Sequence, residues 1–132
     1  MRFTAREQTG LRAMIVLARS FGQGPTALSA IAQSQDLPLP YLEQIAAKLR
    51  KAGLLASVRG ARGGYFLTRD PAQVSVSDVL SALEGQLVTL ECLSPGGSGC
   101  ERASTCDVRG VWLRVQDCLD QTLGEMMLAD VM

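Results

Sequence analysis

The chain has 132 residues and no net charge, with 47% apolar and 20% charged residues; this fits one globular domain, or one small domain with a dimerising appendage, and excludes a disordered chain. A chain this short buries only about two-thirds of its unfolded surface, so a second subunit would add to its core. No apolar run reaches the roughly 20 residues of a membrane span, and MRFTAREQTG holds no apolar signal core, so a cytoplasmic protein with no membrane partner is expected, its thiols free or metal-bound rather than in structural disulfides.

Thr4 and Glu7 have the Ser/Thr-x-x-Glu spacing of a capping box and open the first helix. Leu11, Met14, Ile15 and Ala18 follow on one face at helical period. FGQGP, over 21–25, ends that helix. A short second helix is expected over 26–34, with Leu28, Ile31 and Ala32 inward and Asp36-Leu37-Pro38 as its break. A third begins near Pro40, since proline suits a first turn, where Glu43 complements the helix dipole. Leu42, Ile45, Ala46 and Leu49 form its buried stripe, and Gly53 stops it. Two helices joined by a tight turn are the signature of a helix-turn-helix.

LLASV and YFLT flank RGARGG and read as a β-hairpin. A helix-turn-helix followed at once by a hairpin is a winged helix. Ser75 and Asp78 start a fourth helix, with Val76, Val79, Leu80 and Leu83 as its stripe and Gly85 as its stop. A long helix is expected from about Cys106 to Gln121. There Val108, Val111, Val115, Cys118 and Thr122 form a heptad seam, about two heptads long, widened by Trp112 and Leu119. Thr122 and Glu125 repeat the capping-box spacing and open a last short helix with Met126, Met127, Leu128 and Val131. The fold class expected is mainly α: a winged helix-turn-helix with a small β-hairpin wing, plus a long C-terminal dimerisation helix. Residues 1–85 are expected to form the winged helix-turn-helix domain, 86–106 a cysteine-rich loop, and 107–132 the long helix with a short C-terminal helix. The whole is one compact chain whose first helix also contributes to the dimer.

Charge is split along the chain. Residues 1–69 carry ten Lys/Arg against three Asp/Glu, a net of +7, and residues 70–132 carry three against ten, a net of −7. Such polarity suits a half that faces a polyanion; chance segregation of solvated charges is the plainer alternative. On the third helix Tyr41, Gln44, Lys48 and Lys51 share one face opposite the apolar stripe. A glutamine can pair with adenine, and Glu43 can accept from cytosine N4. Lys48, Arg50 and Lys51 would neutralise phosphates and make affinity fall with salt. Every surface helix has a polar face, so the wing adds the weight. Arg59 and Arg62 make RGARGG a thin arginine-tipped hairpin of the kind that enters a narrow minor groove; a merely solubilising tip is the alternative. Helix-turn-helix, wing and basic half together point to a double-stranded DNA operator.

Three of the four cysteines, Cys92, Cys100 and Cys106, lie in ECLSPGGSGCERASTC, and the chain has no histidine. That excludes a Cys–His catalytic pair and any mixed Cys/His zinc site. A sulfur-held metal or redox centre remains, because thiolates are soft ligands for iron–sulfur clusters, zinc or copper(I). The run PGGSG lets backbone wrap closely round such a group. Cys118 stands about 18 Å along the long helix from Cys106, too far to share one cluster, and its seam position reads as a buried small hydrophobe. Nearby carboxylates that could complete the site are Glu91, Glu101 and Asp107. Zinc with three cysteines and a carboxylate, a disulfide switch, and three reduced thiols stay open. A metalloenzyme finds no support: only scattered carboxylates could act as base near the thiols, and RGARGG lies between strands rather than opening a helix, as a phosphate loop must.

These residues resemble the iron–sulfur cluster regulator (IscR) family of bacterial winged-helix transcription factors over nearly the whole chain. The most specific stretch is YLEQIAAKLRKAGLLASVRGARGGYFL, residues 41–67; MRFT, SVSDVLSALEG and TLGEMM are similar too. The resemblance implies a homodimer with the long helix of one subunit packed against the other. It implies DNA contacts by Glu43, Gln44 and Arg59, the last in the minor groove. It also implies an iron–sulfur cluster, 2Fe–2S or 4Fe–4S, held by Cys92, Cys100 and Cys106. Two departures stand out. Seven residues separate the first two cysteines, wider than the family's usual spacing. Arg109 stands three positions after the third cysteine, where the member that senses cluster supply has a histidine; arginine cannot ligate a metal, so the three-Cys-one-His 2Fe–2S site cannot form. Relatives that sense nitric oxide or redox state take an acidic residue from the first helix. Here Gln8 holds that register, and the resemblance implies Glu7 beside it, supplied by the partner subunit, as the candidate fourth ligand. The expected function is a dimeric DNA-binding regulator, not an enzyme, whose affinity is controlled by a cluster sensing iron, redox state or nitric oxide. The alternative is a metal-free thiol/disulfide redox switch on the same scaffold.

Overall fold

The structure, a computed structural model, describes residues 4–84 and 108–132. Helix α1 (Ala5–Arg19) is closed reciprocally at its start: the Glu7 N–H donates to Thr4 Oγ1 at 3.1 Å, and the Thr4 N–H donates to Glu7 Oε1 at 2.8 Å. Its helical period then turns Ala13, Met14, Leu17 and Ala18 inward. Helices α2 (Leu28–Gln35) and α3 (Leu39–Lys51) follow, joined through Asp36 in the left-handed region at φ 53, which aspartate tolerates better than most residues.

Helix α3 has no side-chain N-cap, a loss of about 1 kcal/mol. Burial of Leu42, Ile45 and Leu49, each no more than 1% exposed, outweighs it at about 1.5–3 kcal/mol per side chain. It starts at Leu39, so Glu43 falls beyond the first turn and not within it. Its end is a Schellman motif: the Leu54 N–H donates to Leu49 O at 3.0 Å and the Gly53 N–H to Arg50 O at 2.9 Å.

Strands β1 (Leu55–Val58) and β2 (Gly64–Leu67) pair antiparallel, with Leu55 opposite Leu67 and Val58 opposite Gly64. Leu55 and Leu67 bury the base of this hairpin, while its tip stands in solvent. The Thr68 hydroxyl donates to Gly53 O at 2.6 Å and pins that base to the end of α3. Thr26 adds a bridge on the other edge of β2: its N–H donates to Tyr65 O at 2.9 Å and the Tyr65 N–H to Thr26 O at 2.8 Å. The entry to α2 is thereby fixed to the wing. Gly64 permits the approach, because a Cβ there would run into the Thr26 backbone.

A 3₁₀ turn (Pro71–Gln73) leads to α4 (Val76–Glu84). Ser75 and Asp78 cap α4 reciprocally, the Asp78 N–H donating to Ser75 Oγ and the Ser75 N–H to Asp78 Oδ2, both at 3.0 Å. Val76, Val79, Leu80 and Leu83 are buried. Helix α4 lies along α1, and the approach is close at Gly10, where a Cβ would strike the Leu83 side chain. Helices α5 (Arg109–Glu125) and α6 (Leu128–Val131) end the chain. The Val76 N–H donates to Met126 O at 2.8 Å and the Leu128 N–H to Val74 O at 2.9 Å, stitching the C-terminus to the entry of α4, with Leu128 in the core. Helix α5 contributes no buried residue. Val108 and Val111 are each 55% exposed and Trp112 is 41% exposed.

The architecture is the mainly helical winged helix expected. Its C-terminal details need correction. Thr122 and Glu125 do not open a new helix; they lie in the last turn of α5, which runs on past Gln121. No breaker precedes Thr122, and its carbonyl still accepts from the Met126 N–H at 3.2 Å. The last helix begins instead at Leu128, where the Met127 N–H donates to Asp130 Oδ2 at 3.0 Å. Cys118 is exposed in the single chain, where no other described residue covers the α5 seam; its burial there needs a second subunit. The stretch 86–106, with Cys92, Cys100, Cys106, Glu91 and Glu101, lies outside the described residues, as do Gly85 and Asp107.

Replacing Gly64 with alanine is expected to destabilise the fold by about 1–3 kcal/mol. Urea unfolding reads this as a lower midpoint at unchanged slope.

Candidate nucleic-acid interface

Burial of the α3 stripe forces Glu43, Gln44, Ala47, Lys48, Arg50 and Lys51 to the outside. These side chains are not equivalent. Arg50 Nη1 donates to Ser57 Oγ at 3.3 Å and ties the end of α3 to the first wing strand. Lys48 Nζ donates to Leu83 O at 3.5 Å, at the carbonyl end of α4, where a cation suits the helix dipole. Tyr41 is half-buried and packs against the core. Of the four residues on the expected polar face, then, Gln44 and Lys51 stand out most freely, and Glu43 is exposed beside them.

The wing tip carries Arg59 and Arg62, both exposed. The Gly63 N–H donates to Gly60 O at 3.0 Å and closes the turn between them. Residues 41–69 hold six cations, Lys48, Arg50, Lys51, Arg59, Arg62 and Arg69, against one carboxylate, Glu43. That imbalance makes the helix–wing face positive, the sign a phosphate backbone requires.

The opposite side of α1 carries a different feature. Glu7 is only 3% exposed. Its Oε1 accepts the capping bond from Thr4, whereas Oε2 is buried with no hydrogen-bond partner among the described residues. It borders an apolar cavity of about 420 Å³ walled by Leu11, Ile15, Leu80, Leu123 and Met126. An unpaired buried carboxylate is costly, so such a site calls for a cation or a proton. Arg109 Nε is the other buried side-chain atom without a partner among the described residues. Among those residues no group of three or more His, Cys, Asp or Glu is arranged to hold a metal; the three clustered cysteines lie outside them.

Sequence reasoning missed the anchors of this interface. Ser57 under Arg50 and the Leu83 carbonyl under Lys48 carry no signal of their own. Thr26 had a weak one, a β-branched residue between a proline and a helix. The bare Oε2 of Glu7 is a product of tertiary packing.

A helix-turn-helix whose exposed second helix is flanked by an arginine-tipped hairpin defines a winged-helix DNA-binding protein. The Rrf2 family model, described as an iron-dependent transcriptional regulator, matches residues 3–132. The chain belongs to the Rrf2 family of transcriptional regulators. It is 37% identical over 131 residues to the HTH-type transcriptional regulator CymR of Bacillus subtilis, spanning 99% of this chain and 89% of that protein. It is 35% identical over 131 residues to the HTH-type transcriptional regulator IscR of Cronobacter sakazakii, spanning 99% and 80%. The solved structure of CymR, the global cysteine regulator of B. subtilis, matches with a TM-score of 0.83 at 37% identity over 99% of this chain and 95% of that one. IscR of T. potens matches with a TM-score of 0.80 at 38% identity over 99% and 85%. The proteins named here are transcriptional regulators and not enzymes. No helix of the described residues is long and apolar enough to cross a membrane.

Proposed function

We propose that this chain is a cytoplasmic, dimeric regulator that binds a double-stranded operator and whose affinity is set by an iron–sulfur cluster. In this reading residues 1–85 bind DNA, 86–106 hold the cluster and 107–132 dimerise. Glu43 and Gln44 read base edges in the major groove. Lys48, Arg50 and Lys51 meet phosphates, Tyr41 braces the start of α3, and Arg59 enters the minor groove with Arg62 beside it. The observation that carries the DNA half is the six-to-one excess of cations over residues 41–69, the segment that forms α3 and the wing.

The donor set fits a sulfur-bound group: Cys92, Cys100 and Cys106 fall within fifteen residues of a chain that has no histidine. When bound, a cluster supplies iron that responds to oxidants, nitric oxide or iron supply. The fourth position falls to a carboxylate or solvent, with Glu7 of the partner subunit as one candidate. Such a ligand is lost more readily than a thiolate. Helix α4 precedes the cysteine stretch in sequence, and its Leu83 carbonyl holds Lys48 of α3; this supports a link between the stretch and the DNA face. A second reading, a metal-free thiol/disulfide switch on the same scaffold, is favoured by the likeness to CymR, named a global cysteine regulator.

Anaerobic purification separates the two readings. A brown protein with matching counts of iron and acid-labile sulfide, both lost on Cys→Ser replacement at positions 92, 100 and 106, is expected. A colourless protein with a disulfide mapped among those cysteines contradicts the cluster.

Arg59→Ala and Arg62→Ala are each expected to flatten the slope of log affinity against log salt by about 0.9. An unchanged slope places that arginine off the DNA. Gln44→Ala is expected to cost about 1–3 kcal/mol on the preferred operator and to relax preference at one base pair. Competition binding with single-base operator variants reads this out.

A further inference from the structure

Arg6 belongs to α1, yet it stands beside the polar face of α3. It lines a small cleft with Tyr41, Gln44, Ile45 and Lys48, and its side chain is 42% exposed. Successive residues lie about 100° apart round a helix. Lys48 and Arg50, two residues apart, therefore sit at opposite edges of the exposed face of α3, with Glu43, Gln44, Ala47 and Lys51 between them. Arg50 marks the edge next to the wing, where it donates to Ser57 Oγ at 3.3 Å. Lys48 marks the other edge, where it donates to the Leu83 carbonyl at 3.5 Å and shares the cleft with Arg6. A helix lying in the major groove, about 12 Å wide, has a phosphate strand on either side of it. The wing serves one flank, and Arg6 with Lys48 supplies cations on the other.

One anion competes for Arg6. Glu84, at the end of α4, holds Oε1 3.6 Å from Arg6 Nη1, and the same oxygen accepts from the Thr4 hydroxyl at 3.0 Å. The contact with Arg6 is too long for a hydrogen bond, and a solvent-exposed pair of this kind is weak. A carboxylate at the C-terminal end of a helix also opposes the helix dipole. A DNA phosphate, whose neutralisation releases counterions, can displace it and accept two bonds from the guanidinium fork. We propose that Arg6 is a phosphate-binding residue of the DNA interface, gripping the backbone strand on the flank of α3 away from the wing, and that Glu84 holds it in the free protein. The interface then has three elements, α1, α3 and the wing, and operator binding exchanges the Glu84 carboxylate for a phosphate.

This inference rests on the DNA binding of the proposed function and not on its cluster. Titrations of the full chain with a double-stranded operator over a range of salt concentrations test it. Arg6→Ala is expected to flatten the slope of log affinity against log salt by about 0.9 and to weaken binding about fivefold near 0.15 M salt, the factor that slope corresponds to there. The loss is expected to be equal on every operator variant, because a phosphate contact carries no base preference. Arg6→Lys is expected to keep most of the slope. A smaller folded fraction lowers affinity at every salt concentration alike, so the slope separates lost contact from lost stability. Glu84→Gln, which keeps an acceptor for the Thr4 hydroxyl, is expected to tighten binding about twofold, the scale of an exposed ion pair, and to have no effect once Arg6 is alanine. An equal gain in both backgrounds, or no gain in either, overturns the exchange. An unchanged slope in Arg6→Ala takes Arg6 off the DNA; if Gln44→Ala or Arg59→Ala still weakens binding, the proposed function stands without it. A wild type that binds no DNA overturns both.

Discussion

Leu83 is the side chain on which the two halves of the molecule lean. It ends the buried stripe of α4 and projects onto α1 at the one place where α1 has no side chain, Gly10. Its carbonyl accepts from Lys48 of α3. Polar clasps surround it: Arg6 lies 3.6 Å from Glu84, and the Thr4 hydroxyl donates to Glu84 Oε1 at 3.0 Å. Exposed pairs of that kind contribute no more than about 1 kcal/mol, whereas a buried leucine contributes about 1.5–3 kcal/mol. The apolar contact therefore sets the position of α4, and the clasps trim it.

That junction matters because of what α4 connects. Its first turn is stitched to Met126 and Leu128 at the C-terminus. Its last turn precedes, in sequence, the stretch that carries three cysteines. In between it packs on α1 and α3. The C-terminal end of α4 bonds Lys48 of α3, and α3 in turn bonds the wing through Arg50. On the proposed reading, a chemical change at the cysteines biases the spacing of two recognition helices in a dimer, which operator geometry reads directly.

Much of this was legible before any coordinates. The reciprocal caps Thr4–Glu7 and Ser75–Asp78 are local chemistry, fixed by spacing and hydrogen-bond capacity, and both formed. The stripes of α3 and α4 are one-dimensional images of burial, and both are buried. The same capping rule misfired at Thr122–Glu125, since a cap needs a chain free to leave the helix, and there the backbone departs only where Met126 reaches Val76. Cys118 stands exposed in one chain for a related reason: a seam position buries its side chain only when a partner is present. The lone oxygen of Glu7 could not be read at all. The sequence shows a capping carboxylate, but which oxygen is spent on the cap and which is stranded depends on how α1, α4 and α5 close around it.

The central claim is that the state of the cysteine stretch is felt at the helix–wing face. Operator affinity of one anaerobic preparation, measured at fixed salt before and after removal of its iron, tests it most directly. The account predicts a change of at least about fivefold in the dissociation constant, the lower end of typical allosteric coupling. Identical constants for the loaded and stripped dimer on every operator would contradict it.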